Sequence, residues 1–324
     1  MQPGVGALPH VKLQLIRVDP NGARAEILFL GIEMPHRFSM NLARIGIAAC
    51  AMLVSVATAA EPVRTLDRIK AEGAIHLGYR SGAVPFSFKD RDGTVRGYSV
   101  ELCTRIAAAI QKQLGLAKLA VDWTPLDAAN RLDAVVSGKV DIECGTTTIA
   151  LSRLERVDFS LPIFVDGGSV LTSSASKLTQ LSDFNGRRLA VIPGTTTESG
   201  LKRELAVINT KAELVPVKDA AAGLALLTAG KVEGYASDRI VLVSLRAGSS
   251  DPARLTLLES DFSFEPYALV VRRDDPDFRL AVNRALVGIY KSGEIDAIFY
   301  RWLGALGEPG TLLHSMFYLS TLPE

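Results

Sequence analysis

Residues 188–207 read RLAVIPGTTTESGLKRELAV. Arg188–Ile192 is extended and mostly apolar, Pro193-Gly194 breaks the run, and Thr197–Val207 carries a helical pattern. A strand, a tight turn and a helix in immediate succession are the repeating piece of an α/β fold. The same grammar appears upstream, where Val140–Cys144 reads as a strand and Gly145-Thr146-Thr147-Thr148 follows it. Free amides and the dipole at a helix start favour an anion. Threonines there also serve as ordinary helix caps, and both readings stand at this point.

Outward from these two stretches the alternation continues. Further strands are read at Ala74–Tyr79, Leu119–Trp123, Glu213–Val217, Gly234–Ala236 and Tyr267–Arg272. Helical patterns lie between them, clearest at Tyr98–Leu114, where Leu102, Ile106, Ile110 and Leu114 recur at every fourth position. Shorter ones cover Ala128–Ser137, Thr197–Val207, Ala220–Ala229 and Arg239–Arg246. Pro276–Lys291 opens with Asp275 placed to cap and a proline in the first turn. Asp92-Gly93 between short extended runs marks a hairpin. Eight or more strands exceed the usual single open sheet, so the central block is expected to build its own core. Ile163–Thr172 and Ser263–Arg272, apolar and extended, would cross between the halves. One lobe then spans 61–166 plus 267–324 and the other 167–266, with a cleft at the carboxyl ends of the strands.

Residues 40–60, MNLARIGIAACAMLVSVATAA, combine a basic start, an apolar run too short to span a bilayer and small residues at Thr58-Ala59-Ala60. This reads as a signal peptide within 34–60, preceded at 1–33 by a non-native extension. A chain exported in this way leaves the cytoplasm for an oxidising compartment. Without residues 1–60 the chain has 31 basic and 32 acidic residues. So even a balance argues against nucleic acid as a partner. Only Cys103 and Cys144 remain, readable either as a disulfide joining a helix to a strand or as two buried apolar side chains. Four histidines and three cysteines in the whole chain give a metal site or a thiol or imidazole catalyst little to work with, so no cofactor is expected.

Polar residues gather at the strand ends. Thr146, Thr148, Thr195 and Thr196 offer hydroxyls, and Arg153 a guanidinium that can grip a carboxylate with two parallel bonds or, read alone, stand as a solvated surface charge. Asp238, after the strand Gly234–Ala236, either holds an ammonium group or caps the following helix. Arg80 and Arg131 are two more cations at cleft-facing ends, each also readable as a surface charge. Asp141 and Glu143, two apart on one face of a strand, could mimic paired carboxylates, and the plainer reading is that they face solvent.

Several further pieces arrive in order: Thr65-Leu66-Asp67-Arg68-Ile69, Gly78-Tyr79-Arg80 with Val84-Pro85-Phe86-Ser87-Phe88, Gly97-Tyr98-Ser99, Ala129-Asn130-Arg131, Glu143 to Thr148, Asp158-Phe159-Ser160, Gly194-Thr195-Thr196 and Arg273-Asp274-Asp275-Pro276. Over residues 62 to 305 the chain resembles the periplasmic amino-acid-binding proteins of ABC importers, most of all their glutamate/aspartate-binding branch. The resemblance implies a two-lobed α/β receptor, monomeric, that closes on one amino acid and delivers it to a membrane permease. It also implies that Thr146, Thr148 and Arg153 hold the α-carboxylate and that Thr195 and Thr196 close from the other lobe. Asp238 would then pair with the α-ammonium, and Arg80 with Arg131 would meet a side-chain carboxylate. The chain departs from that branch at Ala128, Ala220 and Arg239, where the branch has serine, histidine and aspartate. Two other roles on the same scaffold are an enzyme resembling cyclohexadienyl dehydratase and a sensory binding protein.

Overall fold

In the computed structural model, residues 64–323 are described; the stretches read as an N-terminal extension and a signal peptide lie outside the described residues. After helix α1 (Thr65–Glu72), strand β1 (Ala74–Arg80) pairs in parallel with β5 (Ala120–Leu126) on one side and β6 (Ile142–Cys144) on the other. Short antiparallel strands β2 (Gly82–Ala83), β3 (Ser87–Lys89) and β4 (Val95–Arg96) form the hairpin region around Asp92-Gly93. Helices α2 (Tyr98–Gln113), α3 (Arg131–Val136) and α4 (Leu151–Leu154) complete the alternation here.

The second half repeats the scheme. Strand β8 (Arg188–Val191) lies parallel to both β9 (Glu213–Pro216) and β10 (Gly234–Asp238). Helices α5 (Thr196–Val207), α6 (Ala220–Thr228) and α7 (Arg239–Ala247) follow these strands in turn. Two long strands join the halves: β7 (Val157–Ser173) and β12 (Ser263–Arg272), antiparallel to each other. Strand β12 also pairs with β6, and β7 with β10 and with β11 (Leu255–Leu257). The ladder therefore runs unbroken as β5-β1-β6-β12-β7-β10-β8-β9, one continuous mixed sheet, because the crossing strands bond to both sides.

The cores separate where the ladder does not. One group of buried side chains, including Leu77, Ile106, Ile142, Leu269, Phe278 and Ile298, comes from residues before 165 and after 266. Two others, one including Tyr235 and Leu242 and one including Val170, Leu189 and Leu201, come from residues 170–258. Helices α8 (Pro276–Lys291), α9 (Glu294–Trp302) and α10 (Thr311–Leu319) cover the first core. Asp275 caps α8 by accepting from the Phe278 amide, with proline at the first turn. Gly97, at φ 131°, opens α2 where an added Cβ would stand 2.2 Å from the Phe86 carbonyl oxygen, so only glycine fits.

Cys103 of α2 and Cys144 of β6 are joined as a disulfide, with both residues fully buried and their Cα atoms 6.2 Å apart. The bond closes a loop with a sequence separation of 41. Chain-entropy reasoning puts its stabilisation at about 4 kcal/mol. Replacing both cysteines by alanine should lower the unfolding free energy in urea by up to this amount. An unchanged denaturation midpoint would show that the bridge contributes nothing.

Candidate functional site

All eight side chains singled out at strand ends line one cavity of about 720 Å³ between the two halves. The reason is topological. Arg80 ends β1, Thr146 and Thr148 follow β6, Thr195 and Thr196 follow β8, Asp238 ends β10, and Arg131 opens α3 after β5. Carboxyl ends of parallel strands point to the same side of a sheet, and that side is where the cleft opens.

On the side of β1 and β6 the site is a cluster of guanidinium groups held in place by the fold. Arg131 is 3% exposed; its Nε donates to the Thr147 hydroxyl at 2.8 Å and its Nη1 to the Ala128 carbonyl. Burial, then the neighbouring Arg80 charge, lowers its pKa to about 10. Arg153 is 8% exposed and its Nη1 donates to the Thr148 carbonyl at 2.7 Å, so it is no surface charge. Burial lowers its pKa, and the Glu265 carboxylate opposes that shift. The Arg80 guanidinium makes no hydrogen bond among the described residues, which leaves its donors available to whatever occupies the cavity.

The acidic residues differ from the sequence reading. Asp141 and Glu143 do not face solvent. Asp141 is buried, pairs with Arg68 at 2.5 Å and accepts from the His76 amide. Glu143 is fully buried, and neither carboxylate oxygen has a hydrogen-bond partner among the described residues. What holds it is the field of Arg131 and Arg153. A Cβ at Gly145 would come within 2.1 Å of Glu143 Oε1 and 2.6 Å of Arg80 Cγ. Glycine at the head of the threonine loop thus lets the loop lie directly on this pair.

On the side of β8 and β10 the two readings left open for each residue now separate. Thr195 is a cap: its hydroxyl oxygen accepts from the Glu198 amide at 3.0 Å and its proton goes to the Ile192 carbonyl. Asp238 precedes α7 but makes no capping bond with its side chain. Its carboxylate instead accepts from the Thr197 hydroxyl at 2.6 Å and from Tyr267. Burial, then the Glu265 charge, raises its pKa.

Sequence reasoning missed three members: Asp166, Glu265 and Tyr267. All lie on the crossing strands, and the one available signal was an acidic residue within each otherwise apolar run. Asp166 and Glu265 stand opposite each other in the β7–β12 register. Tyr267 approaches Asp166 Oδ2 at 3.2 Å while donating to Asp238. Its single proton cannot serve both, so the two contacts together call for one more proton shared among Asp166, Asp238 and Tyr267. Consistently, burial and the Asp238 charge push the Asp166 pKa up to about 7. Glu265 is 1% exposed and accepts from Thr148, Thr196 and Ser263, each at 2.6 Å.

Comparison with known proteins agrees with this architecture. The family model of the bacterial extracellular solute-binding proteins, family 3, matches residues 75–305. The chain belongs to this family. Among its relatives, this solute-binding protein is 32% identical over 253 residues to the L-glutamate/L-aspartate-binding protein of Pseudomonas aeruginosa, covering 78% of this chain and 84% of that one. It is 30% identical over 238 residues to the glutamate/aspartate import solute-binding protein of Salmonella typhimurium, covering 74% and 79%. Among solved structures, an ancestral amino-acid-binding protein described as a precursor of cyclohexadienyl dehydratase superposes with a TM-score of 0.64 at 26% identity, covering 74% of this chain and 99% of that one. A cysteine-binding protein from Campylobacter jejuni shares the fold, with a TM-score of 0.67 at 20% identity over 77% and 96% of the chains. In this solute-binding protein, among the described residues, no group of histidines, cysteines and carboxylates is arranged to hold a metal.

Proposed function

We propose that this protein is a periplasmic receptor for an ABC importer, a binder and not a catalyst, and that its ligand is an amino acid, glutamate or aspartate first. The carrying observation is the composition of the cavity: three guanidinium groups on one side and the Asp238 carboxylate on the other, with the Arg80 guanidinium free of hydrogen-bond partners among the described residues. A zwitterion taken out of water needs a partner of opposite charge at each end. In this reading Arg153 and the Thr146–Thr148 loop take the α-carboxylate, Asp238 takes the α-ammonium, and Arg80 beside Arg131 takes a side-chain carboxylate. Residues 61–166 plus 267–324 and residues 167–266 would act as the two lobes that close on it. Names of relatives at about a third identity support the acidic amino acids.

A second reading has its own observation. Ala128, Ala220, Ala221, Leu224, Val241 and Leu245 give the cavity an apolar wall, and at Ala128 and Ala220 the glutamate/aspartate-binding branch has serine and histidine. That wall favours a longer amino-acid side chain. Calorimetry across the twenty amino acids decides between the two readings. With the acidic ligands, Arg80→Ala should lose about tenfold to a hundredfold in affinity, as expected for removing one charge-assisted partner, while neutral ligands lose little. Equal losses for both classes would remove Arg80 from the specificity role.

A further inference from the structure

The Thr148 hydroxyl, following β6, and the Thr196 hydroxyl, opening α5, come from opposite sides of the cleft and lie 3.1 Å apart. Each also reaches the same oxygen, Glu265 Oε2, at 2.6 Å. The other oxygen of Glu265 accepts from Ser263 at 2.6 Å. A hydroxyl carries one proton, so a threonine that donates to Glu265 can offer a second carboxylate only its lone pairs. Two carboxylates that need the same donors repel each other as well. Arg153, the cation intended for the incoming carboxylate, already lies in the field of Glu265.

We infer that Glu265 is a positioning and specificity-determining residue: its carboxylate competes with the α-carboxylate of the ligand for the Thr148 and Thr196 protons, and so sets how tightly that end of the ligand is held. The inference rests on the amino-acid reading above. It makes Glu265 an internal counterpart of the ligand's own anion, placed on the strand that joins the lobes. A ligand wins only if its carboxylate draws the two hydroxyl protons and the Arg153 guanidinium away together. That demand selects against anions lacking the geometry to use all three donors at once.

The test pairs Glu265→Gln with the wild-type protein and two probes, L-glutamate and its α-amide, isoglutamine, in titration calorimetry. Glutamine accepts from the threonines but carries no charge. The variant should bind L-glutamate about tenfold or more tightly than wild type, because the like-charge penalty is gone. Isoglutamine, which has no α-carboxylate, should change by less than about threefold. A purely structural role would shift both probes alike. Unchanged or weaker binding of L-glutamate by the folded variant, beside wild-type binding, overturns this inference alone. Failure of the wild-type protein to bind any of the twenty amino acids overturns the receptor reading and this inference with it. If Glu265→Gln does not fold, the wild-type protein with ¹³C in its glutamate side-chain carboxyls tests the same competition. Saturating L-glutamate must then move the chemical shift of the Glu265 carboxyl resonance, since that carboxylate loses two hydrogen-bond donors. An unmoved resonance refutes the competition.

Discussion

Arg153→Ala is expected to abolish measurable amino-acid binding while the protein stays folded. The guanidinium is 8% exposed and one nitrogen braces the Thr148 carbonyl at 2.7 Å. Glu265, Glu143 and Asp238 all act on its charge. Truncation would remove the bidentate partner of the incoming carboxylate and leave Glu265 and Glu143 facing that carboxylate with less compensation. Breaking one side of a buried ion pair costs about 3–5 kcal/mol, a loss of hundreds to thousands in affinity. Arg153→Lys keeps the charge but not the fork, and should recover only part of it. Calorimetry on folded variants checks this. An alanine variant within tenfold of wild type would mean that the carboxylate binds elsewhere.

Asp238→Asn is expected to weaken binding by about a hundredfold or more, the cost of leaving a buried ammonium without its anion. The variant also tests a proton. Burial and the Asp238 charge push the Asp166 pKa up to about 7. Its folded value lies above its unfolded value, so its contribution to stability is complete below about pH 4 and is lost as pH rises to about 7. An ammonium seated on Asp238 pulls the Asp166 value back down, so binding near neutral pH must release a proton. The calorimetric enthalpy of wild type should therefore differ between buffers of different ionisation enthalpy, most strongly between about pH 6 and 7. In Asp238→Asn that difference should fade. Identical enthalpies in phosphate and Tris for wild type would refute the coupling.

Much of this arrangement was legible in the sequence because strand ends are local events. Pro193-Gly194 stops β8 and Gly145 stops β6, and whatever polar side chains follow must stand at the mouth of the sheet. Thr148, Arg153 and Asp238 were reachable in that way. Helix α8 could be read to its ends because Asp275 and Pro276 are strong local signals. Helices α9 and α10 were missed: their stability comes from packing on a core assembled by distant segments. Asp141 and Glu143 were misjudged for the same reason, since burial of a carboxylate depends on Arg68, Arg131 and Arg153 arriving from elsewhere. Thr195 and Asp238 each had a capping reading, and only geometry could give the cap to one and deny it to the other. Glu265 and Asp166 were visible as charges in apolar runs, but their register across two strands nearly a hundred residues apart was not.

The pairing of β7 with β12 has a mechanical consequence. Two strands laced together from Gly168/Ser263 to Val157/Arg272 behave as a leaf spring rather than a ball joint. A ribbon of this kind is expected to bend across its plane more easily than within it, and the register irregularities between Tyr267 and Val270 interrupt its ladder. In the proposed receptor this ribbon would confine the two sides of the cavity to one direction of travel, so that the same side chains meet at each approach.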